Sequence, residues 1–287
     1  MSTGAFEGPT LRGMFDPATA LEKMLAAAWK ATTVIQKIYG EPDFGVEMKA
    51  KNDPVTRADK QANAILIREL SRSFRGVPIV AEESDPDTYA DYRSSEAAFF
   101  VDPLDGTREF VAKNGEFCVM LGLAIGGQAR LGVIVVPTEE RAYIGSADSF
   151  GSFRVTKNGR KIRMHVGKKR SLKDATCIVS RSHQSPETDA ILKSLGTRSL
   201  IRYGSAGRKA LKVATDEVDL YCHPGPSGCR WDSCAPEAIV LGAGGVMTTA
   251  KGKAFGYRGR SLKNTSGVLA GNPELHAKAL AKLLRAG

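Results

Sequence analysis

The run Ala97-Ala-Phe-Phe-Val-Asp-Pro-Leu-Asp-Gly-Thr107 decides how this chain is read. Its first five residues are apolar without alternation, the pattern of a strand buried on both faces. Asp102 and Asp105 therefore stand at the end of a strand, where open α/β sheets place their ligands. Pro103 fixes φ between the two acids, and Gly106 permits a tight turn after them. A short helix beginning at Thr107 would aim its first backbone N–H groups at an anion. Hard oxygen ligands for a cation beside N–H groups for a phosphate point to metal-assisted hydrolysis of a phosphate ester.

Further acids lie at comparable positions. Glu82 and Glu83 follow a second short apolar run, Val77-Pro-Ile-Val80, and Asp232 opens the apolar stretch 235–243. A lone Asp is ordinarily an exposed cap or strand end. Convergence of Glu82, Asp102, Asp105 and Asp232 has a different meaning. Each close pair would repel by on the order of 1 kcal/mol in water and about 4 kcal/mol at an effective dielectric of 20. Summed over the cluster, that rivals the stability of a domain. Divalent cations would remove the repulsion, and carboxylates with a backbone carbonyl and water suit Mg²⁺.

Four blocks together resemble the lithium-sensitive, magnesium-dependent phosphatase superfamily, which contains inositol monophosphatases, inositol polyphosphate 1-phosphatases and 3'(2'),5'-bisphosphate nucleotidases. They are Asp53-Pro-Val-Thr-Arg-Ala-Asp59, Ala81-Glu-Glu-Ser84, Asp102-Pro-Leu-Asp-Gly-Thr107 and Trp231-Asp-Ser-Cys-Ala-Pro236. The resemblance spans about residues 20 to 285. One departure is Ala81, where the family usually has Gly. The resemblance implies that Glu82, Asp102, the Leu104 carbonyl, Asp105 and Asp232 hold two or three Mg²⁺ ions. Mn²⁺ would substitute, and Li⁺ and Ca²⁺ would inhibit. It also implies that Asp59 and Thr107 orient and deprotonate the attacking water, and that the Gly106 and Thr107 N–H groups hold the phosphate. The chemistry agrees, since a Thr hydroxyl both donates and accepts. A divalent cation makes hydroxide accessible near neutral pH.

Composition bounds the alternatives. The chain has 287 residues, 42% hydrophobic and 25% charged, which suits a globular protein large enough for two domains. No apolar run approaches the ~18 residues of a membrane span, and the first residues lack a signal-peptide pattern. Five scattered cysteines, an odd number, suit a reducing, cytoplasmic setting. Cys229 and Cys234 lack the second spaced pair of a zinc site. Four histidines are few for a His-rich metal cluster, and neither a Gly-x-Ser-x-Gly elbow nor a Walker A loop occurs. Net charge is +10. Residues 151–173 hold nine Lys or Arg and no acid. A solvated hairpin and connection accounts for them, with steering of an anionic substrate as the functional alternative. Phe153 is the one aromatic there, which disfavours a nucleic-acid platform. The expected partner is a small anionic phosphate ester, with no stable nucleic-acid or membrane partner and a monomer or homodimer.

Apolar spacing predicts helices over 17–38 and 56–74, with a loop or short hairpin over 39–54. Residues 117–125 and 129–136 predict a β-hairpin turning at Gly126-Gly-Gln128, continued by strands at 142–144 and 152–155. Further on, strands are predicted at 175–180, 218–221 and 246–249. Helices are predicted at 186–195, 206–214, 236–241 and 273–284. The N-terminal part, 1–170, is expected to be an α+β domain with most metal ligands, and 171–287 an α/β domain carrying Asp232. The resemblance implies a layered αβαβα sandwich of the inositol monophosphatase/fructose-bisphosphatase type.

Three stretches favour the bisphosphate nucleotidase branch. Ser180-Arg-Ser-His183 and Gly204-Ser-Ala-Gly-Arg-Lys209 resemble its substrate-contacting blocks, and Gly225 to Asp232 also resembles that branch. Ser180, His183, Ser205 and Lys209 are thus the expected contacts to the nucleotide, Ser and Lys being suited to a second phosphate. His223 stands where inositol monophosphatases usually have a glutamate. The expected reaction removes the 3'-phosphate of adenosine 3',5'-bisphosphate. An inositol phosphatase of the same mechanism is the alternative, and an anion-binding protein without turnover the reading from another class.

Overall fold

The computed structural model describes residues 15–286, apart from 51–52, 90, 149, 157 and 183–184. Its first helices are α1 (Pro17–Tyr39) and α2 (Arg57–Ser73), flanking a small hairpin of β1 (Glu47–Ala50) and β2 (Asp53–Val55). Asp16 caps α1 by accepting from the Thr19 amide, and Pro17 at its first position has no N–H to leave unpaired.

A seven-stranded sheet follows, made of β3 (Ile79–Ala81), β4 (Ala97–Asp105), β5 (Cys118–Ile125), β6 (Gln128–Val136), β7 (Arg141–Ser146), β8 (Gly151–Val155) and β9 (Lys161–Arg163) in spatial sequence. Only the β3–β4 pair is parallel. The short helix α3 (Thr107–Val111) leaves the end of β4. A second, five-stranded sheet has the order β11 (Ser199–Tyr203), β10 (Thr176–Ser180), β12 (Leu220–His223), β14 (Val268–Gly271), β13 (Val246–Thr248). Its helices are α4 (Pro186–Ser194), α5 (Ala206–Ala214), α6 (Trp231–Gly242) and α7 (Pro273–Ala286).

Side-chain alternation along the strands builds the layers. Phe99, Val101, Val119, Leu121, Val133 and Val135 face α1 and α2. Phe100, Met120, Ile134 and Tyr143 face the opposite way, into a core shared with α5, α6 and Tyr221 of β12. Beyond the second sheet, Cys177, Leu220 and Leu269 meet Leu192 of α4 and Leu275 and Leu283 of α7. The result is the expected αβαβα sandwich, with α5 and α6 in the middle layer.

Three glycines bring α6 down onto the large sheet. Gly122, Gly132 and Gly145 lie side by side on β5, β6 and β7. A Cβ on each would stand 2.5 Å from Cys234 Cβ, 2.4 Å from the Ala235 carbonyl oxygen and 2.7 Å from Ile239 Cα. The helix backbone therefore rests where side chains would otherwise be.

The structure departs from the sequence reading at several elements. Helix α6 begins at Trp231 rather than Pro236, so Pro236 lies inside it and Asp232 in its first turn. A proline at the first helical position is the commoner arrangement, which explains the late start predicted. β11 and β14 were not anticipated. The first is an exposed edge strand without alternation, and the second spans four residues. The 218–221 strand is shifted to Leu220–His223. The basic stretch forms the β8–β9 edge hairpin and the connection to the second sheet. Its Lys157 lies outside the described residues.

Candidate active site

The last turn of β4 is irregular. Asp102 pairs with Met120 and Asp105 with Cys118, so three steps on β4 oppose two on β5. In a regular strand, residues three apart point to opposite faces, and this bulge re-aims both acids toward one cavity. The Asp102 carboxylate accepts from the Leu104 amide at 2.9 Å, which fixes its rotation. Gly106 then turns the chain at φ 95°, and a Cβ there would lie 2.8 Å from the Glu116 carbonyl.

The second half closes on these acids. Asp232 comes from the first turn of α6, held by the Cys229 amide at 2.5 Å, while Gly228 at φ 65° leaves room for its carboxylate. Ligand oxygens of Asp102, Asp105 and Asp232 lie within 4.8 Å of one another. One oxygen of Asp105 is occupied from the other side. It accepts from the Ser205 hydroxyl at 2.5 Å and the Gly207 amide at 2.7 Å, at the start of α5. The remaining oxygen is the one available to a ligand.

These acids are poorly compensated. Burial first, then Glu82, Asp105 and Asp232, push Asp102 well above the usual carboxylate range. Burial, Asp105 and Glu82 do the same to Asp232. Glu82 is pushed up to about 7, burial outweighing its ion pair with Lys49 at 3.0 Å. Lys49 also meets Glu83 at 2.7 Å. Oxygen donors alone, crowded and raised in this way, fit a hard divalent cation. Asp102, Asp105 and Asp232 could hold it, with Glu82 and Leu104 lining the same cavity.

Asp59 and Thr107 meet beside this cluster. Asp59 sits at the third position of α2, and one of its oxygens closes a capping box with the Thr56 amide and hydroxyl at 2.8 and 2.5 Å. Its other oxygen accepts from the Thr107 hydroxyl at 2.8 Å. The Leu104 carbonyl lies 3.2 Å from the same hydroxyl. Burial raises the Asp59 carboxyl above its ordinary range, which makes it a better proton acceptor.

The cavity measures about 390 Å³. Gly106, Thr107, Ser180, Ser205 and Lys209 line it, so the sequence reading gathers these residues in one place. Besides Thr107, which donates to Asp59, Ser205 and Lys209 are engaged within the protein. Ser205 gives its hydroxyl proton to Asp105, and the Lys209 ammonium, lowered in pKa chiefly by burial, donates to the Ser205 carbonyl at 2.7 Å over the Tyr221 ring. His183 lies outside the described residues. His223 is buried, its Nε2 3.2 Å from the Pro226 carbonyl, and does not line the cavity.

Ser182 of the Ser180-Arg-Ser-His block and Cys229, weighed above only for zinc, also line the cavity, as do Arg108, Glu109 and Lys49, which the sequence does not single out. Lys49 lies in β1, within the stretch 39–54 for which the sequence predicts a loop or short hairpin. Its carboxylate partners are 33 and 34 residues further on, beyond any local pattern. Among the described residues, no helix is long and apolar enough to cross a membrane.

Residues 16–287 match the model of the inositol monophosphatase family. The 3'(2'),5'-bisphosphate nucleotidase CysQ of Escherichia coli (strain K12) is 31% identical over 241 residues, 84% of this chain and 94% of that one. Among solved structures, the extragenic suppressor protein suhB from Bartonella henselae superposes with a TM-score of 0.79 at 26% identity, covering 92% of this chain and 98% of its own. CysQ from Bacteroides thetaiotaomicron gives a TM-score of 0.74 at 29% identity, with 88% and 96% covered.

Proposed function

The chain belongs to the inositol monophosphatase family, and within its phosphatase chemistry we propose that it is a Mg²⁺-dependent enzyme removing the 3'-phosphate of adenosine 3',5'-bisphosphate to give AMP and phosphate. The observation that carries the chemistry is the convergence of Asp102 and Asp105 from the end of β4 with Asp232 from the first turn of α6, within 4.8 Å and beside the Asp59–Thr107 pair. The nucleotide reading is supported by the relatives named as bisphosphate nucleotidases.

In this reading Glu82, Asp102, the Leu104 carbonyl, Asp105 and Asp232 hold two or three Mg²⁺ ions. Those ions, when bound, polarise the phosphoryl oxygens and make hydroxide accessible near neutral pH. The protein does the rest by position. The Gly106 and Thr107 N–H groups hold the phosphate at the mouth of α3. Thr107 accepts a hydrogen bond from the attacking water while its own proton points to Asp59. Asp59, held rigid by Thr56, receives the proton in turn. Ser205 orients Asp105 through its hydroxyl. The second phosphate of the substrate then falls to Ser180, Lys209 and His183.

Phosphate release from adenosine 3',5'-bisphosphate, compared with inositol 1-phosphate at equal concentration in Mg²⁺, tests the substrate. A clear preference for the nucleotide is expected, and an equal or reversed preference defeats the nucleotidase reading. Millimolar Li⁺ in the same assay is expected to inhibit.

A further inference from the structure

Glu82 stands apart from the other acids because no regular element holds it. It follows β3 in a tight turn, Ala81-Glu-Glu-Ser84, closed by the Ser84 amide on the Ala81 carbonyl at 3.1 Å. The two central positions of a β-turn point outward and are free to re-aim unless something fixes the turn. Lys49 pairs with both carboxylates of this turn, and three contacts fix its backbone and its closing serine. The Glu82 amide donates to the Val101 carbonyl of β4 at 3.0 Å. Asn63 of α2 donates to the Ser84 hydroxyl at 3.0 Å. The third contact comes from Tyr89, whose hydroxyl donates to the Ala81 carbonyl at 2.6 Å, with the Ser84 carbonyl at 3.3 Å as second acceptor.

Tyr89 thus reaches both ends of the turn at once. We infer that Tyr89 is a positioning residue for Glu82: its hydroxyl clamps the first and last carbonyls of the Ala81–Ser84 turn and so sets the direction in which the Glu82 carboxylate enters the cavity. This rests on the reading of Glu82 as a metal ligand. Three further observations support the assignment. Cys229, Glu82 and Glu83, the first two lining the cavity, each act electrostatically on the Tyr89 hydroxyl. Burial chiefly pushes the phenol up to about 12, so it remains a donor wherever the enzyme would work. The ring itself packs against the core between the two sheets, so the hydroxyl is delivered from a fixed base.

The test is Mg²⁺ titration by calorimetry on the wild-type protein, Tyr89→Phe, Glu82→Gln and the double variant, with thermal melting alongside. Tyr89→Phe keeps the ring and loses one hydrogen bond, so Mg²⁺ binding is expected to weaken about five- to tenfold. The Mg²⁺ concentration for half-maximal turnover should rise by the same factor, with kcat at saturating Mg²⁺ unchanged. In the Glu82→Gln background the same substitution should have no further effect on Mg²⁺ binding. A residue that merely anchored its loop would lower the melting temperature and leave the Mg²⁺ titration alone. Wild-type-like Mg²⁺ binding by Tyr89→Phe, or equal weakening in both backgrounds, overturns the inference while leaving the phosphatase reading intact. A wild-type protein that binds no Mg²⁺ overturns both.

Discussion

Helix α6 carries two buried carboxyl groups one and a half turns apart, and they live in opposite circumstances. Asp232, in the first turn, faces Asp102 and Asp105 and shares their repulsion. Glu237, further along, accepts from the Tyr257 hydroxyl at 2.5 Å and feels the Arg230 charge. Both are raised by burial. Only Asp232 belongs to a set of oxygens that a cation could satisfy together. The comparison separates two uses of a buried acid. One is a strained group kept for a ligand, and the other is a neutral hydrogen-bonding group that helps seat the helix on the sheet.

The sharpest way to break the comparison is to neutralise each acid in turn. Asp232→Asn should lower kcat by on the order of 10³ or more, the scale for losing charge stabilisation at a reacting centre. Its amide oxygen can still accept from the Cys229 amide, so the fold should persist. Without divalent cations the variant should melt higher than wild type, because one repelling charge is gone. With Mg²⁺ the order should reverse, since saturation at about a hundred times Kd stabilises a binding protein by about 2.7 kcal/mol. Near-normal turnover at saturating Mg²⁺ would remove Asp232 from the proposed ligand set.

Glu237→Gln should do the converse, leaving turnover near wild type and changing stability with pH. Burial pushes Glu237 up to about 8 from an ordinary 4.5. The folded state therefore binds this proton more tightly than the unfolded state. That contribution is complete below pH 4.5 and is lost as pH rises through 8, at up to about 1.4 kcal/mol per pH unit. Gln keeps an acceptor for Tyr257 and has no proton to lose. The variant's stability advantage should grow from pH 5 to 8 and then level off, reaching on the order of a few kcal/mol. Parallel curves of melting temperature against pH would show that Glu237 does not titrate in this interval.

The same helix shows where sequence was informative and where it was not. Asp102–Thr107 could be interpreted locally, because strand, turn and acids are contiguous, but the bulge that aims both acids to one side is visible only in the pairing of β4 with β5. Asp232 was recognisable by its block, yet its place inside a helix was not. Pro236 looks like a helix start, and what holds the residues before it is packing on a sheet a hundred positions earlier. The Ser205–Asp105 and Lys49–Glu82 contacts join residues 100 and 33 apart, and no periodicity encodes them. Edge strand β11 has mostly exposed side chains, so the hydrophobic signal of a strand is absent. The long buried strands β5 and β6 were the easiest to see, whereas β14, equally buried but four residues long, offers too short a pattern to read.

The seating of α6 offers the smallest and most discriminating test. Gly132 has ordinary strand geometry, so Ala is permitted there by the backbone and excluded only by the helix. The new Cβ would stand 2.4 Å from the Ala235 carbonyl oxygen and 3.1 Å from Ala235 Cα, atoms that no rotamer can move. The helix must lift, at about 1–3 kcal/mol for overpacking of this kind. Lifting displaces Asp232 and Glu237 together, but the two ends should respond differently. Glu237 needs one hydroxyl, which a half-ångström shift stretches only slightly. Asp232 must keep its oxygen in register with Asp102 and Asp105. Gly132→Ala should therefore weaken Mg²⁺ binding in calorimetry, while the pH at which stability falls stays where Glu237 sets it. Unchanged Mg²⁺ affinity in a measurably destabilised variant would mean that the glycine row serves packing alone, and that Asp232 is placed by its own loop through Cys229 and Gly228.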